Sequence, residues 1–338
     1  MRILTWHVHG SWMTAFVQGR HDYLLPVLPD RGPDGRGRAR TWTWPASAVE
    51  VTPAQLREAD VDLVVLQRPE ELELVERWTG RRPGVDLPAV YVEHDAPRAG
   101  AADSRHPLAD QSRIPVVHVT HFNRTFWDCG SARTFVVEHG VLDPGALYTG
   151  ASASLAAMVN EPVRRWRVAG TDLLLRVAEQ VPVALHGMGV RALAAQVAAG
   201  PAGHHLSVLE DLPQARAHAE LARHRAYLHP YRWTSLGLSL IEAMMIGMPV
   251  LGLPVTAAPE AVPAGAGVLS SDPDVLVAAA RRWLHEPEEA RERGALAREH
   301  ALAAFGVQRF LDDWERVLAE VSGGALAGAS ATSGEGTR

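Results

Sequence analysis

Three side chains able to hold a polar ligand recur at helical spacing inside an otherwise apolar segment: Ser235, Ser239 and Glu242. The run Leu238 to Ile246 reads as a helix that is apolar nearly all round, and so buried on most sides. Positions i, i+4 and i+7 share one face of such a helix. A buried glutamate is costly unless both carboxylate oxygens are satisfied. A vicinal diol such as a ribose would do this by donating two hydrogen bonds. A structural arginine or a backbone group would do it as well, and buried glutamates taken singly more often have that plainer explanation. Gly237, just ahead, lets backbone approach a ligand closely, and the helix N-terminus behind it favours an anion.

Composition narrows the chemistry further. The 338-residue chain contains no lysine. A P-loop lysine, a Schiff base to pyridoxal phosphate and a lysine nucleophile are therefore excluded. Any phosphate must be held by arginine, backbone N–H groups or helix N-termini. The single cysteine, Cys129, rules out an internal disulfide and Cys-based zinc sites. A net charge of −6 argues against a nucleic-acid partner. With 47% hydrophobic and 21% charged residues the chain has an ordinary globular composition. No apolar run approaches the roughly 20 residues of a membrane span. The opening residues read as a strand rather than a signal peptide, which makes the cytoplasm the expected location.

The elements that must position these residues alternate between short β-branched runs and helical stretches, the signature of parallel sheets covered by helices. Strands are expected at Arg2–Thr5, Asp62–Leu66, Ala89–Glu93, Pro115–Thr120 and Thr134–Glu138, with a Gly-, Pro- and Arg-rich loop at Asp30–Arg40. That loop is expected to be mobile or ordered by a ligand. Turn residues at Asp143–Tyr148 mark a break, after which the pattern restarts. Further strands are expected at Ser154–Val159, Pro182–Leu185, Leu206–Leu209, Ala226–His229 and Pro249–Gly252. Helices are expected at Thr171–Gln180, Val190–Ala199, Gln214–Arg223, Leu238–Ile246 and, last, Val307–Val321. The division implied is a Rossmann-like domain over residues 1–148, a second over 149–322, and a disordered polar tail over 323–338.

The segment Tyr227–Leu251 resembles the donor-binding signature of the GT-B glycosyltransferases of family 4 type, the glycosyl transferases group 1. The resemblance rests on Pro230, Gly237, Glu242, Ala243, Met244, Gly247, Pro249 and Val250, followed by Pro259 and Glu260, in the family's order and spacing. It implies an α/β fold of two Rossmann-like domains facing a cleft, acceptor side first, with a C-terminal helix. It also implies metal-independent transfer of a hexosyl-type sugar from a UDP- or GDP-sugar, with retention at the anomeric carbon and no further cofactor. In the family the second glutamate binds the ribose hydroxyls, a role that falls on Glu242. The first glutamate lies eight residues earlier, where this chain has Thr234, and the glycine after it is replaced by Ser235. Threonine donates and accepts hydrogen bonds but carries no charge, so the altered half of the signature is the one beside the transferred sugar.

The same resemblance places His94, at the end of Ala89–Asp95, against the donor sugar, and makes Val136–Val141 an architectural turn. It puts a basic residue on the diphosphate, for which Arg164, Arg165 and Arg167 are the candidates, one of them serving and the others solvated. Gly10 falls where the family sets glycines near phosphate or acceptor. The catalytic set is then His94 and Thr234. The donor-binding set is Gly10, Arg164, Arg165, Arg167, Glu210, Ser235, Gly237, Leu238 and Glu242. His7 and His9 flank the Gly10 turn without a third ligand, so no metal is expected. Arg31, Arg36, Arg38 and Arg40 are candidates for contacting an acceptor that the sequence does not name, or for an ordinary solvated loop.

Two rivals come from other classes. Gly187 and Gly189 between a strand and a helix, with Glu210 roughly 20 residues on, fit a relaxed dinucleotide fingerprint and so an NAD-dependent dehydrogenase. Against it, a strand and a helix already precede this unit. Thr234 motivates the other rival, a sugar-nucleotide-binding protein without catalysis.

Overall fold

The computed structural model describes residues 1–98 and 100–331. In chain order the first elements are β1 (Arg2–Thr5), α1 (Gly10–Phe16), β2 (Asp22–Pro26), β3 (Ala48–Val51), α2 (Pro53–Glu58), β4 (Leu63–Leu66), α3 (Glu71–Thr79), β5 (Ala89–Glu93), β6 (Val116–His118), α4 (His121–Phe126) and β7 (Thr134–Val136). Next come β8 (Ser152–Met158), α5 (Thr171–Ala178), β9 (Val183–Gly187), α6 (Val190–Val197), β10 (Leu206–Glu210), α7 (Gln214–Leu221), β11 (His224–His229) and α8 (Leu238–Ile246). The chain continues through β12 (Val250–Gly252), α9 (Ala258–Ala261), β13 (Gly267–Leu269), α10 (Pro273–His285), α11 (Pro287–Phe305) and α12 (Val307–Ala331).

The chain forms two compact units, one made of Met1–Gly140 with the segment from Val307 on, the other of Val141–Gly306. The boundary thus falls at Gly140 rather than at 148, and the last helix belongs with the first unit. Its reason is aromatic packing: Trp314 meets Trp12 and Phe16 edge-on at 5.7 and 5.1 Å, and Phe310 fills the space beside Gly140. The helix also runs past the expected end at Val321, to Ala331. The tail expected beyond it, at 332–338, lies outside the described residues.

The first unit holds a seven-stranded sheet in the order β3-β2-β1-β4-β5-β6-β7, every pairing parallel. The second holds a six-stranded sheet in the order β10-β9-β8-β11-β12-β13, again parallel throughout. Both are doubly wound, and each reverses strand order once, between β1 and β4 and between β8 and β11. In such sheets ligands settle beyond the carboxyl ends of the strands at that reversal. The interior strands are continuous apolar runs, as burial on both faces requires.

Three strands were not expected from the pattern. β2 opens on Asp22 and closes on Pro26, β3 is an edge strand with Val49 exposed, and β13 has only three residues. The Asp30–Arg40 loop is ordered by its own contacts rather than by a ligand. Arg31 pairs with Glu50 at 2.8 and 3.0 Å, and the Arg38 guanidinium donates to the carbonyls of Trp44 at 2.7 Å and Pro45 at 2.9 Å. Arg31 and Arg38 are therefore structural, and only Arg36 and Arg40 of that set stand exposed.

One buried group sets an acid limit on the second unit. His186 on β9 is 1% exposed, and neither ring nitrogen has a hydrogen-bond partner among the described residues. Burial pushes it down from 6.5 to about 4. The unfolded chain binds this proton below pH 6.5 and the folded chain resists it, so stability falls as pH drops from 6.5 towards 4. At pH 5 the loss is about 2 kcal/mol. His186→Leu should remove it: urea unfolding is expected to show a gain of about 2 kcal/mol over the parent at pH 5 relative to their difference at pH 7.5.

Candidate functional site

In the second unit the chain leaves β8 and β11 at the strand-order reversal, and the loops that follow carry most of the expected donor residues. Asn160, just past β8, accepts the Met188 backbone N–H at 3.0 Å and ties this loop to the β9–α6 turn. Gly170 caps α5 at φ 69°, and a Cβ there would run into the Pro230 carbonyl. The position therefore admits glycine alone, and it brings the start of α5 against the loop after β11.

The three candidate arginines separate cleanly. Arg164 is exposed and bonded to Glu161 at 2.8 Å. Arg167 is exposed and pairs with Asp172, which Arg232 also holds, at 2.9 Å. Arg165 is half-buried and lies over the Tyr231 ring, 5.5 Å from its centroid. Among the described residues no carboxylate pairs with it. Arg165 is thus the guanidinium held in place by Tyr231, through its ring and its hydroxyl, rather than by a carboxylate.

Helix α8 spans the expected residues and is buried over Leu240–Ile246. Its burial comes partly from α11, where Ala290, Gly294, Ala297 and Ala301 form a small-residue face, with Gly294 pressed onto the Gly247 carbonyl. Gly237 is the N-cap, so the capping residue itself brings no side chain to this end. A Cβ at Gly237 would lie 2.7 Å from His229 Cε1, so the glycine is what lets the helix start close to the end of β11. His229 is 3% exposed and burial alone pushes it down to about 4, so it is a neutral ring packed against Tyr231 at 5.1 Å. Leu238 and Thr234 are half-buried beside this start, and Ser235 is buried. Ser239 accepts the Tyr227 hydroxyl at 2.9 Å, which gives it a structural duty.

Glu242 is 5% exposed, and its partners are neither arginine nor backbone. Gln214 Nε2 donates to Oε1 at 3.1 Å, and His218 Nε2 stands 3.3 Å from Oε2, an electrostatic contact rather than an aligned hydrogen bond. Both come from α7, one helical turn apart. Each carboxylate oxygen offers two lone pairs, so one partner apiece leaves acceptor capacity on both. Gln214 and His218 were not singled out from the sequence. Their signal was the i, i+4 spacing, with Leu221 at i+7, on a helix otherwise rich in alanine.

Glu210 ends β10 and accepts the Arg191 N–H at 3.0 Å, so it caps α6. The dinucleotide reading fails on position: Gly187 and Gly189 follow β9, one strand outside the reversal, whereas the fingerprint belongs on the strand at its edge. Gly187 has a packing reason of its own, since a Cβ there would meet the Val159 carbonyl.

In the first unit Gly10 opens α1 just past β1. The side that its missing Cβ leaves open is filled by the Trp42 indole, 2.5 Å from where that carbon would be, so packing rather than a ligand accounts for this glycine. His94 follows β5 and is half-buried, with Trp12 edge-on at 5.0 Å and His9 at 4.1 Å between ring centroids. Its Nε2 lies 3.1 Å from Gln67 Oε1. His7 bonds the Gly37 carbonyl at 3.2 Å. The Val136–Val141 turn keeps its architectural reading, with the His139 carbonyl accepting from Arg309 at 2.6 Å.

Two doubly wound parallel sheets in one chain define the GT-B class of α/β proteins, and solved structures of this class superpose over nearly the whole chain. Sucrose-phosphate synthase from Thermosynechococcus elongatus aligns with a TM-score of 0.74 at 14% identity, over 95% of this chain and 99% of that one. Anabaena HepE in complex with UDP aligns with a TM-score of 0.69 at 15% identity, over 95% and 100%. Residues 164–300, a stretch within the second unit, match the family model of glycosyl transferases group 1. Over 87 residues it is 36% identical to a trehalose synthase of Rubrobacter xylanophilus, a stretch that is 26% of this chain and spans only 21% of that protein. Among the described residues no helix is long and apolar enough to cross a membrane.

Proposed function

We propose that the chain is a glycosyltransferase that takes a hexosyl-type sugar from a nucleoside diphosphate donor, UDP- or GDP-linked, with the ribose hydroxyls on Glu242. The observation that carries this reading is the Glu242 carboxylate: buried, held by Gln214 and His218, and still able to accept from both oxygens. A vicinal diol supplies two donors at the matching spacing. Beside it, the start of α8 behind its glycine N-cap and the Arg165 guanidinium suit a diphosphate, whose leaving-group charge they would stabilise. HepE, with the same fold, binds UDP, which supports the donor class. In this reading Thr234 contacts the transferred sugar, His94 keeps its expected catalytic role, and the configuration is retained without a metal. Thr234 also favours a second reading, a protein that binds the donor without transferring it.

A panel of UDP-, GDP- and ADP-sugars screened by thermal shift, followed by an assay for released nucleoside diphosphate, separates these. A ligand that binds only the folded chain raises the melting temperature, and more so the tighter it binds. Stabilisation with nucleotide release supports the transferase. Stabilisation without release for any acceptor tried supports the non-catalytic binder, and stabilisation by NADH alone would sink both.

A further inference from the structure

Gln67 directly follows β4 at the strand-order reversal of the first unit, and its amide can be oriented from its neighbours. One end of the amide lies 2.7 Å from the Trp6 carbonyl, 3.3 Å from Thr5 Oγ1 and 3.5 Å from Met13 Sδ. A carbonyl only accepts, so this end must be the NH₂ group. The other end, 3.1 Å from His94 Nε2, is therefore the amide oxygen, which only accepts in its turn. The proton on His94 must then sit on Nε2, because the tautomer follows from the hydrogen bond the ring makes.

We propose that Gln67 is a positioning residue that locks His94 in its Nε2–H tautomer, so that Nδ1 presents a lone pair to a substrate hydroxyl. The proposal rests on the glycosyltransferase reading for its substrate and on the first unit's own geometry for the rest. The lock is itself braced. The Gln67 N–H donates to Glu71 Oε2 at 2.7 Å, and Arg68 holds the other oxygen of that fully buried carboxylate at 2.9 Å. Trp12 and His9 fix the plane of the His94 ring. Burial first, then the nearby rings of His9 and His139, holds His94 well below the usual histidine range, so a second proton on the ring is disfavoured. A neutral ring with Nε2–H already committed can accept but not donate. It suits a sugar hydroxyl, which donates, and does not suit a phosphate oxygen, which would face it lone pair to lone pair.

Long-range ¹H–¹⁵N spectra of the full chain labelled in histidine read the tautomer directly. The parent protein is expected to show His94 neutral with the proton on Nε2. Gln67→Met should yield mixed tautomers, with kcat for sugar transfer down at least about tenfold and KM for the donor within about threefold, as loss of a contact made at the reacting sugar predicts. Gln67→Glu, protonated on the oxygen that meets the Trp6 carbonyl, keeps an acceptor facing Nε2 and should preserve the tautomer, which a merely space-filling role would not require. A proton on Nδ1 in the parent, or an unaltered tautomer in Gln67→Met, overturns the inference. Should Gln67→Met fail to fold, the parent spectrum and Gln67→Glu still decide. The spectra need no turnover, so a chain that transfers no sugar would count against the functional reading while the tautomer result stands on its own.

Discussion

Glu242→Ala is expected to weaken binding of the nucleoside diphosphate at least about 100-fold, with KM for the sugar nucleotide rising to match. Two hydrogen bonds from a diol to a charged acceptor contribute roughly 1.5–3 kcal/mol each, and the alanine removes both. The substitution has a folding cost too, because it strips Gln214 and His218 of the group they hold. An unsatisfied buried donor costs about 1–3 kcal/mol, so a lowered melting temperature is part of the prediction. Glu242→Gln separates the two effects. It keeps the shape and one acceptor, and is expected to fall between parent and alanine in affinity while melting close to the parent. A folded Glu242→Ala protein with parental KM would remove Glu242 from the site.

Arg165→Ala is the second large effect. Its guanidinium is the one of the three on that loop that no carboxylate engages, and Tyr231 holds it by a cation–π contact. A diphosphate would take a charge-assisted pair of hydrogen bonds from it. Removing it should weaken nucleoside diphosphate binding about 10- to 100-fold, as loss of a charged hydrogen bond worth roughly 1.5–3 kcal/mol requires. Affinity for the bare nucleoside should stay as it was, since that ligand has no phosphate. Arg164→Ala and Arg167→Ala remove exposed ion pairs and should shift affinity by less than about threefold. Titrating the three variants with nucleoside and nucleoside diphosphate checks this, and an equal loss across all three would assign the effect to general charge rather than to Arg165.

Much of the fold was legible because parallel strands buried on both faces are continuous apolar runs, and ten of the thirteen strands announce themselves that way. β2, β3 and β13 do not, since Asp22 and Pro26 bound the first, Glu50 interrupts the second and the third has only three residues. The partition was harder to read. α12 is amphipathic in sequence, but nothing local says that its Phe310 and Trp314 meet Trp12, about 300 positions earlier in the chain. The candidate site shows the same split. Glu242 stood out because charge is rare on an apolar helix. Gln214, His218 and Gln67 did not, because each acts through a neighbour distant in sequence. Among Arg164, Arg165 and Arg167 the sequence offered no choice. Only the positions of Glu161, Asp172 and Tyr231 distinguish them. Gly10 looked like a ligand-approach glycine and proved to be a seat for Trp42, a contact across 32 residues that no local rule anticipates.

The most direct test of the central claim is calorimetric titration of the full chain with UDP, GDP and ADP, alongside NADH, repeated on Glu242→Ala. The account predicts that at least one nucleoside diphosphate binds the parent, that NADH does not, and that the alanine variant loses that binding at least about 100-fold while remaining folded. Binding of NADH with no response to any nucleoside diphosphate, or equal affinity in parent and variant, would contradict it.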